Sequence, residues 1–409
     1  MSYWLGVAFF VVALLTSVMV HEAGHFLTAR AFGMKATQFF VGFGPTLFSR
    51  RRGETEYGVK ALPLGGFVKI VGMTPFEEVA PGDERRAFYR KPLRQRVIVL
   101  VAGSTTHFVV AVLLILAVAF FPARPDAGLL VRSTAACVPV SDVAMRPSTG
   151  PDGSCPPGSV AAPAAFALRT GDVLLGIDGH RFTREEDPTT LLRTASSADA
   201  ALLVRRDGAE VTVPVQLAAV QRNRAQGGRG TEQAFALGVT SDVAGYSHPT
   251  WSEGWSAART LLGTSPQGLI GSIPAAVTKI PDRFTHLFEP GSLDGPQSAV
   301  GIAQLSGGIA ASDAPLSTRV ATLVGIVASV NFFVGVLNLL PLLPFDGGHI
   351  AVNIVDRLRN GLRRRRRQER GSIAEVYARF APVSYAVFAV IAVGSLLVLT
   401  SNIVNPLRL

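Results

Sequence analysis

Cysteine is scarce in this chain of 409 residues, which contains two, Cys137 and Cys155. Two thiols are too few for a disulfide scaffold or for a metal site built from cysteine. The start, MSYWLGVAFF, has no basic residue, and the apolar run that begins there reaches His21 without a small-residue cleavage site. We therefore expect no cleavable signal peptide, so that the first apolar segment stays in the mature protein.

The composition excludes an ordinary soluble protein. Hydrophobic residues make up 48% of the chain, and its mean hydropathy is positive. Soluble domains of this length are usually less apolar. Four runs are long enough to cross a bilayer, which takes roughly 20 apolar residues. They cover residues 4–29, 97–121, 320 to about 345, and 380 to about 402.

The net charge of +10 comes mainly from two basic segments, residues 30–96 and 357–379. Each lies between two of the apolar runs, where the positive-inside rule predicts cytoplasmic loops. Both chain termini are then extracytoplasmic. The run Arg363–Arg367 is expected to lie at anionic lipid headgroups, and nucleic acid is not an expected partner.

The segment between the second and third runs begins with the pattern of a small β-rich domain. Residues 201–215 contain an Asp207-Gly208 turn between two strand-like stretches, which is a hairpin signal. Together with residues 159–182 this pattern resembles a PDZ domain, whereas residues 221–233 are expected to form a flexible loop. Cys137 and Cys155 lie on the oxidising side of the membrane, which favours a disulfide, with two unpaired thiols as the alternative.

The sequence HEAGH closes the first apolar run and places His21, Glu22 and His25 at membrane depth. On a helix, residues four apart differ by about 40° in azimuth, so the two histidines can hold one metal ion. Glu22 then lies beside the metal, where it can act on a bound water. Ionisable groups at this depth cost roughly 2.5–3.5 kcal/mol each, so three of them indicate a common partner. A polar cluster without metal is the alternative.

A catalytic zinc site usually has three protein ligands. The third apolar run ends in VLNLLPLLPFDGGHI, which places Asp346 on the same side of the membrane as HEAGH, and Asp346 is the predicted third ligand. Pro341 and Pro344 are expected to break the helix, and Gly347-Gly348 to allow a sharp turn.

Three further polar residues are weaker candidates. His107 is predicted to form a hydrogen bond within the helix bundle rather than to bind the metal. His349 is predicted to contact a metal ligand or to lie at the membrane interface. Asn338 either positions substrate, including help in holding the oxyanion, or joins two helices by a hydrogen bond.

HEAGH, NLLPLLPFDGG and the inserted PDZ-like segment together resemble the site-2 protease family of intramembrane zinc metalloproteases, in particular the actinobacterial regulators of intramembrane proteolysis. The resemblance implies an α-helical multi-pass membrane protein with a four-span zinc protease core, a membrane-associated β-hairpin and an inserted extracytoplasmic PDZ-like domain. It implies that Zn²⁺ is the cofactor and that its ligands are His21, His25 and Asp346. It also implies that Glu22 is the catalytic acid and base and that Asn338 positions the substrate.

The predicted organisation has four parts. Residues 1–121 contain spans 1 and 2, the HEAGH motif and a cytoplasmic hairpin loop. Residues 122–225 form the extracytoplasmic PDZ-like domain, and residues 226–319 form an extracytoplasmic linker with an amphipathic segment. Residues 320–409 contain spans 3 and 4, the Asp346 motif and a basic cytoplasmic helix.

The resemblance also implies how substrate is held and what it is. A membrane-reentrant hairpin would offer Leu64, Gly65, Gly66 and Phe67 for strand addition by an unwound substrate, and an ordinary cytoplasmic hairpin is the alternative. The expected substrates are single-pass membrane proteins, in particular anti-sigma factors, after a first extracytoplasmic cut by a site-1 protease. The PDZ-like domain would act as a size filter or bind a new C-terminal carboxylate. The enzyme would lie in the bacterial cytoplasmic membrane.

The chain departs from the family in its second span. The family commonly has AGPxxN there, whereas residues 102–107 read AGSTTH, with Ser104 and His107 in place of the proline and asparagine.

Two other functions remain open, an inactive PDZ scaffold and a metal-handling transporter. A scaffold would tolerate loss of Glu22, and a transporter offers no reason for a glutamate beside the ligands.

Overall fold

The computed structural model describes residues 2–74, 77–122, 124–140, 154–183, 186, 188–193, 195, 197–223, 231–266, 268–285, 296–366, 369 and 371–404. The chain forms two compact units. The first joins Met1–Pro122 to Pro249–Leu409, and the second is the inserted segment Ala123–His248.

The first unit is mainly helical. Its helices are α1 (Tyr3–Ala31), α2 (Leu93–Phe120), α5 (Trp251–Leu262), α6 (Leu269–Thr278), α7 (Ile280–Thr285), α8 (Ala299–Ala311), α9 (Leu316–Asn338), α10 (Asp346–Arg365) and α11 (Ile373–Val404). Its strands are β1 (Ala36–Arg52) and β2 (Thr55–Ile70), and two 3₁₀ turns, Glu84–Arg86 and Phe88–Arg90, precede α2.

Among the described residues, four helices are long and apolar enough to cross a membrane, namely α1, α2, α9 and α11. The prediction of a multi-pass protein with four apolar spans is confirmed at this level. The third helix ends at Asn338 rather than near residue 345, because Pro341 and Pro344 follow and cannot continue a helix.

Helix α2 packs against α1, α9, α10 and α5. Its approach to α1 requires a glycine, since a Cβ on Gly24 would lie 2.7 Å from the carbonyl oxygen of Ala102. Helix α8 packs on α1 through Gly6 and the small residues Ser306 and Ala310. Small side chains allow the backbones of helices in apolar surroundings to approach each other closely.

Strands β1 and β2 form a bent hairpin in which each strand folds back on itself. Residues 38–41 pair on one side with residues 66–69 and on the other with residues 56–59. Residues 48–52 then pair with the outer side of 55–59. Within the described part of the chain no further strand pairs with residues 66–69, which therefore form a sheet edge.

Helix α10 begins after the irregular segment 339–345. A Cβ on Gly347 would lie 2.2 Å from the carbonyl oxygen of Leu339, and one on Gly348 would lie 2.4 Å from the backbone of Leu342. The two glycines thus serve a close backbone approach in the first turn of α10, rather than the sharp turn predicted from the sequence. Asp346 is the first residue of the helix.

The second unit contains α3 (Ala164–Ala167), α4 (Pro188–Arg193), and the strands β3 (Arg124–Pro125), β4 (Leu129–Thr134), β5 (Cys137–Pro139), β6 (Ser159–Ala161), β7 (Val173–Ile177), β8 (His180–Arg181), β9 (Asp199–Arg206), β10 (Ala209–Gln216), β11 (Ala218–Asn223), β12 (Thr231–Ala236), β13 (Val239–Val243) and β14 (Tyr246–Ser247). Its main sheet is antiparallel with the order β10-β9-β7-β4-β13, and β8 pairs with β7. Leu174, Leu202 and Val204 lie fully buried in its core.

Three further points concern the sequence predictions for this unit. Asp207 and Gly208 have positive φ and join β9 to β10, as the hairpin signal predicts. The sulfur atoms of Cys137 and Cys155 are 2.01 Å apart, which is a disulfide. The unit continues to His248 rather than ending at 225, because β13 returns to pair with β4. The prediction of a flexible loop over residues 221–233 is wrong at both ends, because residues 221–223 of β11 pair with residues 231–233 of β12. Residues 224–230 lie outside the described residues.

Candidate metal centre

Two histidines of α1 present the same ring nitrogen to one point. The Nε2 atoms of His21 and His25 are 3.1 Å apart, and both side chains are buried. His25 Nδ1 lies 2.7 Å from the carbonyl oxygen of Val99 on α2. A carbonyl can only accept, so Nδ1 carries a proton, and Nε2 is the nitrogen that faces the cluster, which is the orientation of a metal-ligating histidine.

Asp346 completes the cluster from the first turn of α10. Its Oδ2 lies 3.5 Å from Nε2 of His21 and 3.3 Å from Nε2 of His25. Oδ2 is buried and has no hydrogen-bond partner among the described residues. A carboxylate also suits this place because the N-terminus of a helix favours negative charge.

The three side chains fit a zinc ion. Bonds of about 2.1 Å with tetrahedral angles place neighbouring ligand atoms about 3.4 Å apart, and the three separations here are 3.1, 3.3 and 3.5 Å. When His21 and His25 are neutral with Nε2 unprotonated, their Nε2 atoms and Oδ2 of Asp346 each offer a lone pair to a cation bound between them.

Glu22 lies on the hairpin side of α1. Its Oε2 accepts a hydrogen bond from the backbone N–H of Val68 at 3.0 Å. The space between hairpin and helix is narrow, since a Cβ on Gly66 would lie 2.8 Å from the Met19 sulfur and 3.7 Å from Cγ of Glu22. The carboxylate is therefore held between its helix and the edge strand.

Helix α2 closes another side of the cluster. A Cβ on Gly103 would lie 2.4 Å from Nε2 of His25 and 2.6 Å from Cε1 of His21. Only a residue without a side chain lets α2 approach the imidazoles this closely. Sequence reasoning did not single out Gly103, because the requirement comes from another helix.

His107, which stands where the family commonly has an asparagine, contacts both His21 and helix α9. The rings of His107 and His21 have centroids 4.9 Å apart, and His107 Nδ1 lies 2.9 Å from Oδ1 of Asn331 on α9. The Asn331 amide nitrogen donates to Ser17 Oγ at 3.0 Å, so a polar chain links α2, α9 and α1. His107 is not among the three residues whose ligand atoms converge. Ser104 is fully buried.

The remaining candidates lie around the cluster. Asn338 is half-buried at the last residue of α9, and no contact of its side chain is among those described. His349 Nδ1 lies 2.8 Å from the hydroxyl of Tyr377, which joins α10 to α11. Gly66 and Phe67 lie in the edge strand, Gly65 lies at its bend with a φ of 138°, and Leu64 belongs to β2.

Comparison with known proteins gives a consistent result. A family model for peptidase family M50 matches residues 9–380. The zinc metalloprotease Rip1 of Mycobacterium tuberculosis is 34% identical over 434 aligned residues, with both chains covered completely. Rip1 of Mycolicibacterium smegmatis is 33% identical over 433 residues, again with complete coverage. A putative zinc metalloprotease of Rhizobium meliloti is 27% identical over 370 residues, or 88% of each chain.

The M50 match covers most of the chain, and the relatives that span its whole length are zinc metalloproteases. The cluster of two buried imidazoles and a half-buried carboxylate fits the ion that such enzymes use. The described part of the chain holds four membrane-length helices. The chain therefore belongs to peptidase family M50, the site-2 protease family, and is a zinc metalloprotease.

Proposed function

We propose that this zinc metalloprotease cleaves peptide bonds within the transmembrane helices of single-pass membrane proteins. The observation that carries the proposal is the position of the ligand cluster. His21 lies on α1, one of the four membrane-length helices, and it is buried against α2, another of them. A site inside such a bundle is reached most directly by a substrate that is itself in the bilayer.

We assign metal binding to His21, His25 and Asp346, and proton transfer to Glu22. Bound zinc supplies Lewis acidity, which lowers the pKa of a water to about 7 and polarises a carbonyl oxygen. Glu22 follows His21 directly, about 100° further round α1, so its carboxylate lies beside the ligands. There it accepts the proton of the attacking water and then donates it to the amide nitrogen that leaves.

The edge strand supports a way to hold the substrate. A helical substrate must unwind before its carbonyl can be attacked, and its freed backbone groups then need partners. Among the described strands, residues 66–69 pair on one side only, and the Val68 N–H on the open side donates to Glu22. A substrate strand that adds here would use this N–H and release the Glu22 carboxylate for proton transfer. Leu64, Gly65, Gly66 and Phe67 are the proposed strand-addition residues.

The outer end of the hairpin supports its insertion into the membrane. Phe43, Leu47, Phe48 and Leu62 are 44–70% exposed at this end. An exposed apolar patch of this kind marks an interaction or membrane surface. Asn338, at the end of the helix that leads to Asp346, is the proposed substrate-positioning residue.

The proposed substrates are anti-sigma factors that another protease has first cut outside the cytoplasm. The inserted antiparallel unit is proposed to be a PDZ domain that filters substrates by size or binds the new C-terminal carboxylate. The proposed location is the bacterial cytoplasmic membrane. Both termini would be extracytoplasmic, because the basic segments then face the cytoplasm.

Co-expression with truncated single-pass membrane proteins tests this function. The wild-type chain is expected to release a shortened cytoplasmic fragment, while Glu22→Gln should lower the cleavage rate about 10²- to 10⁴-fold, the usual contribution of a general acid–base. Glu22→Gln should retain stoichiometric zinc, because Glu22 is not one of the ligands.

The matched control is Glu78→Gln, the same chemical change at an exposed residue outside the site. It should cleave like the wild type. Cleavage that continues in Glu22→Gln, or that falls equally in both variants, would exclude the assigned role. Cleavage confined to soluble substrates would exclude the intramembrane activity.

A further inference from the structure

The C-terminal half of α10 carries an apolar face that is exposed among the described residues. Leu358 is 63% exposed and Leu362 is 57% exposed. Residues four apart lie on the same side of a helix, and Val355 extends the face towards the N-terminus. Exposed leucines in register on a helix indicate a surface that contacts something other than water.

Arginines border this apolar face. Val355, Leu358 and Leu362 line a groove of about 420 Å³ together with Arg359, Arg363 and Arg366. One groove therefore combines an apolar wall with three guanidinium groups.

The arginines have more positive charge than their described partners neutralise. Glu375, at the start of α11, forms ion pairs with both Arg359 and Arg363. Nη1 of Arg359 is buried and has no hydrogen-bond partner among the described residues. Among the described ion pairs Arg366 has none. The groove is thus suited to an anion that accepts several hydrogen bonds, and guanidinium groups bind phosphate particularly well.

The groove lies close to the ends of the spans. Arg96, in the first turn of α2, donates to the side chain of Asn353 on α10. Helix α11 begins at Ile373, a few residues after α10 ends. The middle of α10 is therefore level with the start of one span, and its last turns lead to the start of another. This is the level at which phospholipid headgroups lie.

We propose that this groove is a binding site for an anionic phospholipid. Arg359, Arg363 and Arg366 hold the phosphate, and Val355, Leu358 and Leu362 contact the upper part of an acyl chain. A lipid fits better than an acidic protein, because the apolar wall runs beside the guanidinium groups at bilayer level. The site does not depend on the peptidase activity.

Native mass spectrometry of the full-length protein in neutral detergent, titrated with phosphatidylglycerol or phosphatidylcholine, tests the site. The wild type should bind one phosphatidylglycerol more tightly than any phosphatidylcholine. The triple change R359Q, R363Q and R366Q should lower the affinity for phosphatidylglycerol about a hundredfold, because each arginine contributes roughly fivefold. Phosphatidylcholine binding should not change.

The matched control is R50Q, R51Q and R52Q, which removes the same charge from exposed residues at the end of β1. It should stay within about twofold of the wild type, since none of these three arginines lines the groove. The double change L358S and L362S should weaken phosphatidylglycerol binding although all arginines remain. The triple change R359K, R363K and R366K should keep most of the affinity that the glutamine triple loses. Zinc content reports the fold of each variant.

Several results would overturn the proposal. They are equal binding of the two lipids, equal losses in the two arginine triples, full binding by the double serine variant, displacement of the lipid by inorganic phosphate, or preference for polyglutamate. If the glutamine triple loses zinc, the lysine triple and the serine pair decide the question.

Discussion

Asp172 is buried and Asp346 is half-buried, one in each unit, and the two aspartates differ in how their charge is compensated. Asp172 is 2% exposed, and Arg206 Nε and Nη2 donate to its two oxygens at 2.9 and 2.7 Å. The backbone N–H of Arg169 adds a third bond. Asp346 instead faces two imidazole nitrogens and has a buried oxygen without a hydrogen bond among the described residues. A carboxylate satisfied by its own chain stabilises a fold, whereas one left unsatisfied beside other ligands indicates a site for a cation.

The largest expected effect comes from removing the unsatisfied carboxylate. Asp346→Asn should lower zinc affinity by more than about 100-fold, which exceeds the effect of losing an outer partner of a ligand, and should abolish cleavage. Zinc content after dialysis against a chelator measures it. Asp356→Asn is the control on the same helix, and it should keep full zinc. Stoichiometric zinc in Asp346→Asn would remove the distinction between the two aspartates.

A smaller effect is expected for the satisfied carboxylate. Asp172→Ala leaves Arg206 without its buried partner, so the free energy of unfolding of the second unit should fall by about 3 kcal/mol. Hydrogen exchange of the β7 and β9 amides measures this loss. Asp199→Ala, at an exposed position, should change stability by less than about 0.5 kcal/mol. Zinc content should be unaffected, and a parallel loss of zinc in Asp172→Ala would show that this residue is not purely structural.

The smallest effect is the pH dependence of the same ion pair. The Arg206 guanidinium holds the pKa of Asp172 below its ordinary value. A carboxylate with a lowered folded-state pKa contributes stability above its unfolded-state pKa and loses it as pH falls through the folded-state value. The stability difference between wild type and Asp172→Ala should therefore be constant near neutral pH and shrink below about pH 4. A difference that grows on acidification would contradict the pairing.

The sequence was most informative where a short motif had to make sense inside an apolar run. His21, Glu22 and His25 follow from helical spacing, and Asp346 follows from the helix break that precedes it, because ionisable groups in a span need a partner. The structure brings His21, His25 and Asp346 together. The four apolar helices could also be predicted, because their length depends on composition alone.

Features that depend on distant contacts could not be predicted. Nothing local in VASVNFF indicates that Asn331 meets His107 and Ser17 across three helices. The same holds for the return of β13 to β4 and for the double pairing of residues 38–41. Each is decided by packing between segments far apart in the chain, which periodicity does not encode.

The absence of a side chain at Gly103 makes the metal cluster one-sided. The α2 backbone comes within contact of both imidazoles at this point, so no water or peptide fits between helix and rings. Approach is left to the flanks that α2 does not cover, among them the one where Glu22 meets the hairpin. The lack of a single methyl group thus decides which side of the metal centre is closed by protein and which sides water and substrate can reach.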